Sequence, residues 1–206
     1  MNKTKIEWCD VTINPVMGCK NNCEYCYAKQ LDCKTPKVIF MNSMSDVAHW
    51  QSEWVREVFE KIKKNKQHKY IFLTKSGHQR CYGLHFGERE LWAECDNKCD
   101  NVFIGLSVTK QSEFPCGKKY EFLSVEPILE KIDIPDNYNI SCIKQIIIGA
   151  ETGKRKGKVI PKKEWIDSLC QQADAYGIKV FMKDSLIPIV GEENMRRELI
   201  WNNNNE

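Results

Sequence analysis

Apolar residues along the chain fall into two patterns of different period. Val38-Ile39-Phe40-Met41, Tyr70-Ile71-Phe72-Leu73, Val102 to Val108, Tyr120 to Val125, Gln145 to Ile148 and Ile178 to Met182 are short runs with the length and β-branched content of strands buried on both faces. Val11 to Met17 alternates apolar with polar positions and ends at Gly18, which reads as a first strand. Trp54, Val55, Val58, Phe59 and Ile62 instead recur at helical spacing. So do Trp165, Ile166, Leu169 and Ala173 within Pro161 to Tyr176, where Gly177 suits the stop. Shorter helices are expected over Glu24 to Leu31, Glu88 to Glu94 and Met195 to Ile200. Thr109 to Lys119, with Pro115 and Gly117, is too short and too broken for a good crossover helix.

Strands alternating with helices predict parallel βαβ units. The chain has 206 residues, fewer than the ~250 typical of a complete TIM barrel. The expected fold is therefore α/β, an open partial (β/α) TIM-like barrel of about six to seven mostly parallel strands, as a single domain over residues 1–206. Chemistry in such barrels gathers at the C-terminal ends of the strands, so the polar residues directly after apolar runs are informative. They are Asn42 and Ser43, Thr74 and Lys75, Ser107, Ser124 and Glu126, Glu151 and Thr152, and Lys183 and Asp184. Glu126 and Glu151 stand out, because a carboxylate at an apolar mouth loses solvation unless something pairs with it. Lys75 and Lys183 are the cations available to pair with them, to bind an anionic substrate or to transfer a proton. A structural ion pair is the plainer alternative.

Charge adds one local feature. The net charge of +3 is too small to imply a partner. The loop Gly153-Lys154-Arg155-Lys156-Gly157-Lys158, however, sets four cations among glycines right after the sixth strand. It is a candidate contact for a nucleotide or nucleic-acid substrate, with a solvated loop as the alternative. The basic run Lys61 to Lys69 reads as a solvated helix end that complements the dipole, with nucleic-acid contact as the alternative.

Cysteine supplies the candidate chemistry. Eleven are present, an odd count, and the first residues hold no apolar signal core. No apolar run approaches membrane-spanning length, so a cytoplasmic protein with reduced thiols and no membrane partner is expected. Cys19, Cys23 and Cys26 form C-x3-C-x2-C, a spacing that lets three thiolates converge on one soft metal. A cluster held by three thiolates keeps one iron open to an outside ligand. The same spacing also serves as three-quarters of a zinc site completed by Cys33 or Cys9, or as reduced buried thiols. Cys95 and Cys99 with Cys81 and Cys116 are candidates for a second metal site, and Cys142 and Cys170 for core thiols.

These cysteines, with Tyr25 directly before the last, resemble the signature loop of the radical S-adenosylmethionine (SAM) enzymes. The likeness continues through Thr4-Lys5-Ile6-Glu7-Trp8, Asn14-Pro15-Val16, Asn42-Ser43-Met44-Ser45-Asp46, Leu73-Thr74-Lys75, Gly105-Leu106-Ser107-Val108, Leu123-Ser124-Val125-Glu126-Pro127 and Gly149-Ala150-Glu151-Thr152-Gly153. Together these are similar to the ordered motifs of a radical SAM family common in phages and bacteria. The resemblance implies an enzyme in which Cys19, Cys23 and Cys26 hold a [4Fe-4S] cluster. SAM would chelate the open iron, and an external flavodoxin- or ferredoxin-like donor would reduce the cluster. SAM would then be cleaved to a 5'-deoxyadenosyl radical that abstracts hydrogen from a nucleoside or nucleic acid, a peptide or a small metabolite. The resemblance further implies Asn42 and Ser43 at the aminocarboxylate of SAM, Tyr25 beside its adenine, and Ser107, Glu126 and Glu151 at ribose or substrate. Where the superfamily often carries Gly-Gly-Glu after its second strand, Asn42-Ser43-Met44 stands here. A zinc-containing nucleic-acid-binding module without catalysis is the reading from another class.

Overall fold

A computed structural model describes residues 2–15, 34–76, 91–94, 99–115, 120–135 and 142–202. Its strands are β1 (Asn2–Lys3), β2 (Val11–Thr12), β3 (Val38–Phe40), β4 (Lys69–Thr74), β5 (Val102–Ser107), β6 (Phe122–Val125), β7 (Gln145–Ile148) and β8 (Lys179–Met182). They are ordered in the sheet as in the sequence. β1 pairs antiparallel with β2, and β2 to β8 run parallel, so the chain has the open α/β topology of a partial TIM-like barrel. The principal helices are α1 (Ser52–Lys64) and α2 (Lys163–Ala175), followed by the single turn α3 (Ile187–Val190). The chain forms two compact units, Met1–Ile104 and Gly105–Glu206, with the boundary inside β5.

In the first unit, α1 buries Val55, Phe59 and Ile62 at helical spacing, while Trp54 on the same predicted stripe is exposed. Phe59 stacks on Phe72 of β4 with ring centroids 5.9 Å apart, and Trp50 meets the same ring edge-on. Burying each of the three α1 side chains contributes roughly 1.5–3 kcal/mol. Lys61, Lys63 and Lys64 occupy the last turn, where their charge complements the helix dipole. Lys63 also reaches Glu94 at 2.7 Å.

In the second unit, β6 and β7 are buried throughout, as expected for parallel strands covered on both faces. Gly105 of β5 is required by packing: a Cβ there would run into the Phe122 ring. Trp201 closes on the same ring at 5.2 Å. The α2 stripe of Ile166, Leu169, Cys170 and Ala173 is buried, and burial pushes the Cys170 thiol up to about 11. Gly177 follows the helix at φ 68°, in the left-handed region its stop needs.

Three sequence expectations change. The first strand, expected over Val11 to Met17, covers Val11–Thr12, and residues 13–15 lie beyond it. Residues 195–200 are not helical. Arg197 bridges antiparallel to Phe181, with Met182 N–H donating to Arg196 O at 2.8 Å and Glu198 N–H to Val180 O at 3.1 Å. The segment covers the free edge of β8. The buried Gln145 amide holds it there, donating to Glu198 O and accepting from Ile200 N–H. Leu199 and Trp201 are buried at alternate positions, the period of a strand. Cys142, expected in the core, is half-buried, whereas Cys170 is buried. The helix expected at 24–31 lies outside the described residues. Of 88–94, residues 91–94 are described and helical.

Candidate functional site

In the first unit the residues after β3 and β4 are joined through backbone groups. The Asn42 amide donates to Leu73 O at 2.7 Å and accepts from Leu73 N–H at 3.0 Å, so both of its functions extend the β3–β4 ladder. The Ser43 hydroxyl donates to Asn14 Oδ1, which also accepts from Met44 N–H. Asp46 gathers the loop after β4. Its Oδ1 accepts from Ala48 N–H and the Thr74 hydroxyl at 2.9 and 2.8 Å. Its Oδ2 accepts from Lys75 N–H at 2.7 Å and, at 3.3 Å, from Ser76 N–H and the Ser76 hydroxyl. Lys75 is thereby fixed by its backbone while its side chain is exposed.

The strand ends of the second unit are joined through side-chain charges. Glu126 directly follows β6, and Lys183 directly follows β8. Between them Gly149 directly follows β7, and the ammonium of Lys183 donates to Glu126 across it. A Cβ at Gly149 would lie 3.1 Å from Glu126 Cγ and 3.2 Å from Lys183 Cδ, so the missing side chain makes room for the pair. The pair is half-buried, with side-chain exposures of 26% for Glu126 and 15% for Lys183. Ser107 ends β5 in register with Ser124 of β6, and both are buried. Lys183 N–H donates to Ile148 O, and Ala150 N–H to the Ser185 hydroxyl, tying the chain after β8 to the end of β7.

The basic loop follows immediately. Glu151 accepts from Arg155 through both oxygens, with Nη2 at 2.7 Å, and from Val159 N–H at 3.4 Å. The Arg155 guanidinium beside it, with a smaller contribution from Val159 N–H, holds the Glu151 carboxyl below its ordinary value against the opposing effect of burial. Gly153 and Gly157 turn the loop at φ 88° and 73°, where a side chain would be strained. Lys154, Lys156 and Lys158 are exposed.

The family whose model carries the description "Protein of unknown function (DUF5131)" matches residues 29–187. The chain belongs to the DUF5131 family. No curated protein and no solved structure matches it. The span that the DUF5131 match covers runs from beyond Cys26 through β3 to β8 and ends just past Lys183.

Cys19, Cys23 and Cys26 lie outside the described residues of this DUF5131 chain, as do Tyr25, Cys33, Cys81, Cys95 and Cys116. By donor chemistry three thiolates at that spacing suit a soft metal, as an iron–sulfur cluster or as part of a zinc site. Among the described residues no group of three or more His, Cys, Asp or Glu is placed to hold a metal ion. Cys9 is half-buried, and burial raises the Cys99 thiol above its ordinary value. No helix of the described residues is long and apolar enough to cross a membrane.

Of the residues singled out in the sequence, Glu126 and Lys183 come together, as do Asn42 with Leu73 and Glu151 with Arg155. Glu113 is an organising carboxylate that sequence reasoning passed over, and Asp46 stood there as the last residue of a motif. Glu113 accepts from Thr109 N–H and its hydroxyl at 2.6 and 2.8 Å and holds the turn after β5. Asp46 also caps the turn at residues 47–49 through the bond from Ala48 N–H.

Proposed function

We propose that the protein is a radical SAM enzyme. The observation that carries this reading is the C-x3-C-x2-C triad, which follows the first parallel strand of an open α/β sheet whose later strands each lead into a polar group. Cys19, Cys23 and Cys26 would hold a [4Fe-4S] cluster with SAM at its open iron. When bound, this group supplies one-electron cleavage of the sulfonium and hydrogen abstraction from an unactivated carbon. The chain's own residues do the rest. The Ser43 hydroxyl, with its hydrogen directed to Asn14, presents lone pairs suited to the ammonium of SAM. Asn42 fixes the ends of β3 and β4 from which Ser43 projects. Ser107 offers a hydroxyl to ribose or substrate. The Glu126–Lys183 pair offers a carboxylate acceptor and an ammonium donor side by side, able to orient a polar substrate or to move a proton at Lys183 Nζ. Tyr25 is assigned to the adenine, Lys75 to an anionic group of the substrate, and Glu151 to holding the loop after β7.

Anaerobic reconstitution with iron and sulfide tests the reading. The expected result is a brown protein that forms 5'-deoxyadenosine from SAM when a flavodoxin-like donor or chemical reductant is supplied, with Cys26→Ala losing that activity. A colourless protein retaining one zinc and leaving SAM intact would overturn it, as would SAM cleavage undiminished in Cys26→Ala.

A further inference from the structure

The surface that follows β7 combines tethered and untethered cations. Residues 153–165 carry Lys154, Arg155, Lys156, Lys158, Lys162 and Lys163 against a single acid, Glu164. Arg155 is held by Glu151, Lys163 is paired with Asp167 at 2.7 Å, and Lys162 lies over the Trp165 ring at 5.9 Å. Lys154, Lys156 and Lys158 are exposed and form no ion pair among the described residues. They stand at alternate positions of a loop closed on itself by the Glu151 contacts to Arg155 and Val159. That loop starts beside the strand ends that carry Glu126 and Lys183.

The arrangement discriminates among anions. A single phosphate is best held by a bidentate guanidinium or by converging backbone N–H groups, and here the one guanidinium fork is already filled by a carboxylate. A membrane surface calls for an apolar face beneath the cations, whereas the loop shows one exposed apolar side chain, Ile160, and keeps Trp165 half-buried under Lys162. Three separate point charges at alternate positions of this loop fit a repeated anion. Lysines of this kind contact phosphates and not base edges, so they position a strand without reading its sequence.

We propose that Lys154, Lys156 and Lys158 form a docking surface for the phosphate backbone of a nucleic acid, with the Glu151–Arg155 pair fixing the loop that presents them. This rests on the proposed function in one respect: it names the substrate class of the same site.

The test is fluorescence anisotropy of the full chain with fluorescein-labelled single-stranded RNA and DNA over a salt series, without SAM or reductant. Binding is expected to weaken linearly in log–log form with salt. The variant Lys154→Gln/Lys156→Gln/Lys158→Gln should bind at least about tenfold more weakly, with the slope reduced by about 2, near 0.7 for each lost contact to a single strand. Arginine at the same three positions should keep the slope. Oligonucleotides that fail to bind, a glutamine variant with an unchanged slope, or cosedimentation with phosphatidylserine vesicles in place of oligonucleotide binding would each overturn the proposal. Because the readout needs no cluster, a chain that binds nucleic acid but does not cleave SAM breaks only the function reading. One that cleaves SAM but does not bind breaks only this one.

Discussion

Asp46 in the first unit and Glu126 in the second are both carboxylates in loops that follow parallel strands, yet they are used in opposite ways. Asp46 accepts from three backbone N–H groups and two hydroxyls, none of which carries a charge. Among the described residues Glu126 has one partner, the ammonium of Lys183. A carboxylate bound by backbone is locked into the fold, since releasing it strands several donors at once. A carboxylate bound by one flexible cation can exchange that partner for a ligand group of similar charge. Asp46 thus holds strand ends in place, whereas Glu126 is left with a partner it can exchange.

The largest effect is expected at Asp46. Asp46→Ala removes the acceptor from Ala48, Thr74, Lys75 and Ser76 together and should lower stability by about 3 kcal/mol, the range for hydrogen bonds to a charged group with donors left unsatisfied. Urea denaturation would show this as a lower midpoint at unchanged m-value. A loss below about 1 kcal/mol would mean that water replaces the carboxylate readily, and the contrast with Glu126 would collapse.

A smaller effect is expected from the second carboxylate. A double-mutant cycle of Glu126→Gln and Lys183→Met should give a coupling of about 1 kcal/mol, as for partly exposed pairs, and the coupling should shrink as salt rises. A coupling as large as the Asp46 loss would mark the pair as structural. The availability of Glu126 for substrate would then lose its basis.

Much of this was legible in the sequence for one reason: β3, β4, β6, β7 and β8 are short apolar runs that leave little choice of period, and each is followed within three residues by its polar residue. The partners of those residues were less legible. The Glu126–Lys183 pairing follows from β6, β7 and β8 lying side by side, so it was foreseeable once the strand order was guessed, and Gly149 between the two marks it. The two hydrogen bonds between Asn42 and Leu73 were not foreseeable, because an asparagine after a strand reads equally well as a loop residue or a ligand contact. Arg155 read as one of four equal cations, whereas its bidentate contact with Glu151 depends on the turn at Gly153. The segment 195–200 was misread because Met195 and Leu199 stand four apart, as on a helix. The competing signal, Leu199 and Trp201 at alternate positions, becomes decisive only when β8 offers a free edge.

The smallest effect concerns the Glu151–Arg155 pair, and it is read by pH. Arg155 stabilises the ionised carboxylate in the folded protein, so the folded value lies below that of the unfolded chain. For a carboxyl depressed in this way, the stabilising contribution is fully present above the unfolded value and is lost as pH falls through the folded one. The loop contact should therefore be intact at neutral pH and loosen only in acid. An NMR titration of the Glu151 carboxyl should give a midpoint below the ordinary glutamate value, and Arg155→Gln should return it towards that value. Amide exchange at Val159 should quicken in the same variant, because the carboxylate that accepts from its N–H is no longer held. If Arg155→Gln leaves both the midpoint and the exchange unchanged, Arg155 belongs with the untethered lysines. The basic loop would then present four mobile cations, not three on a fixed frame.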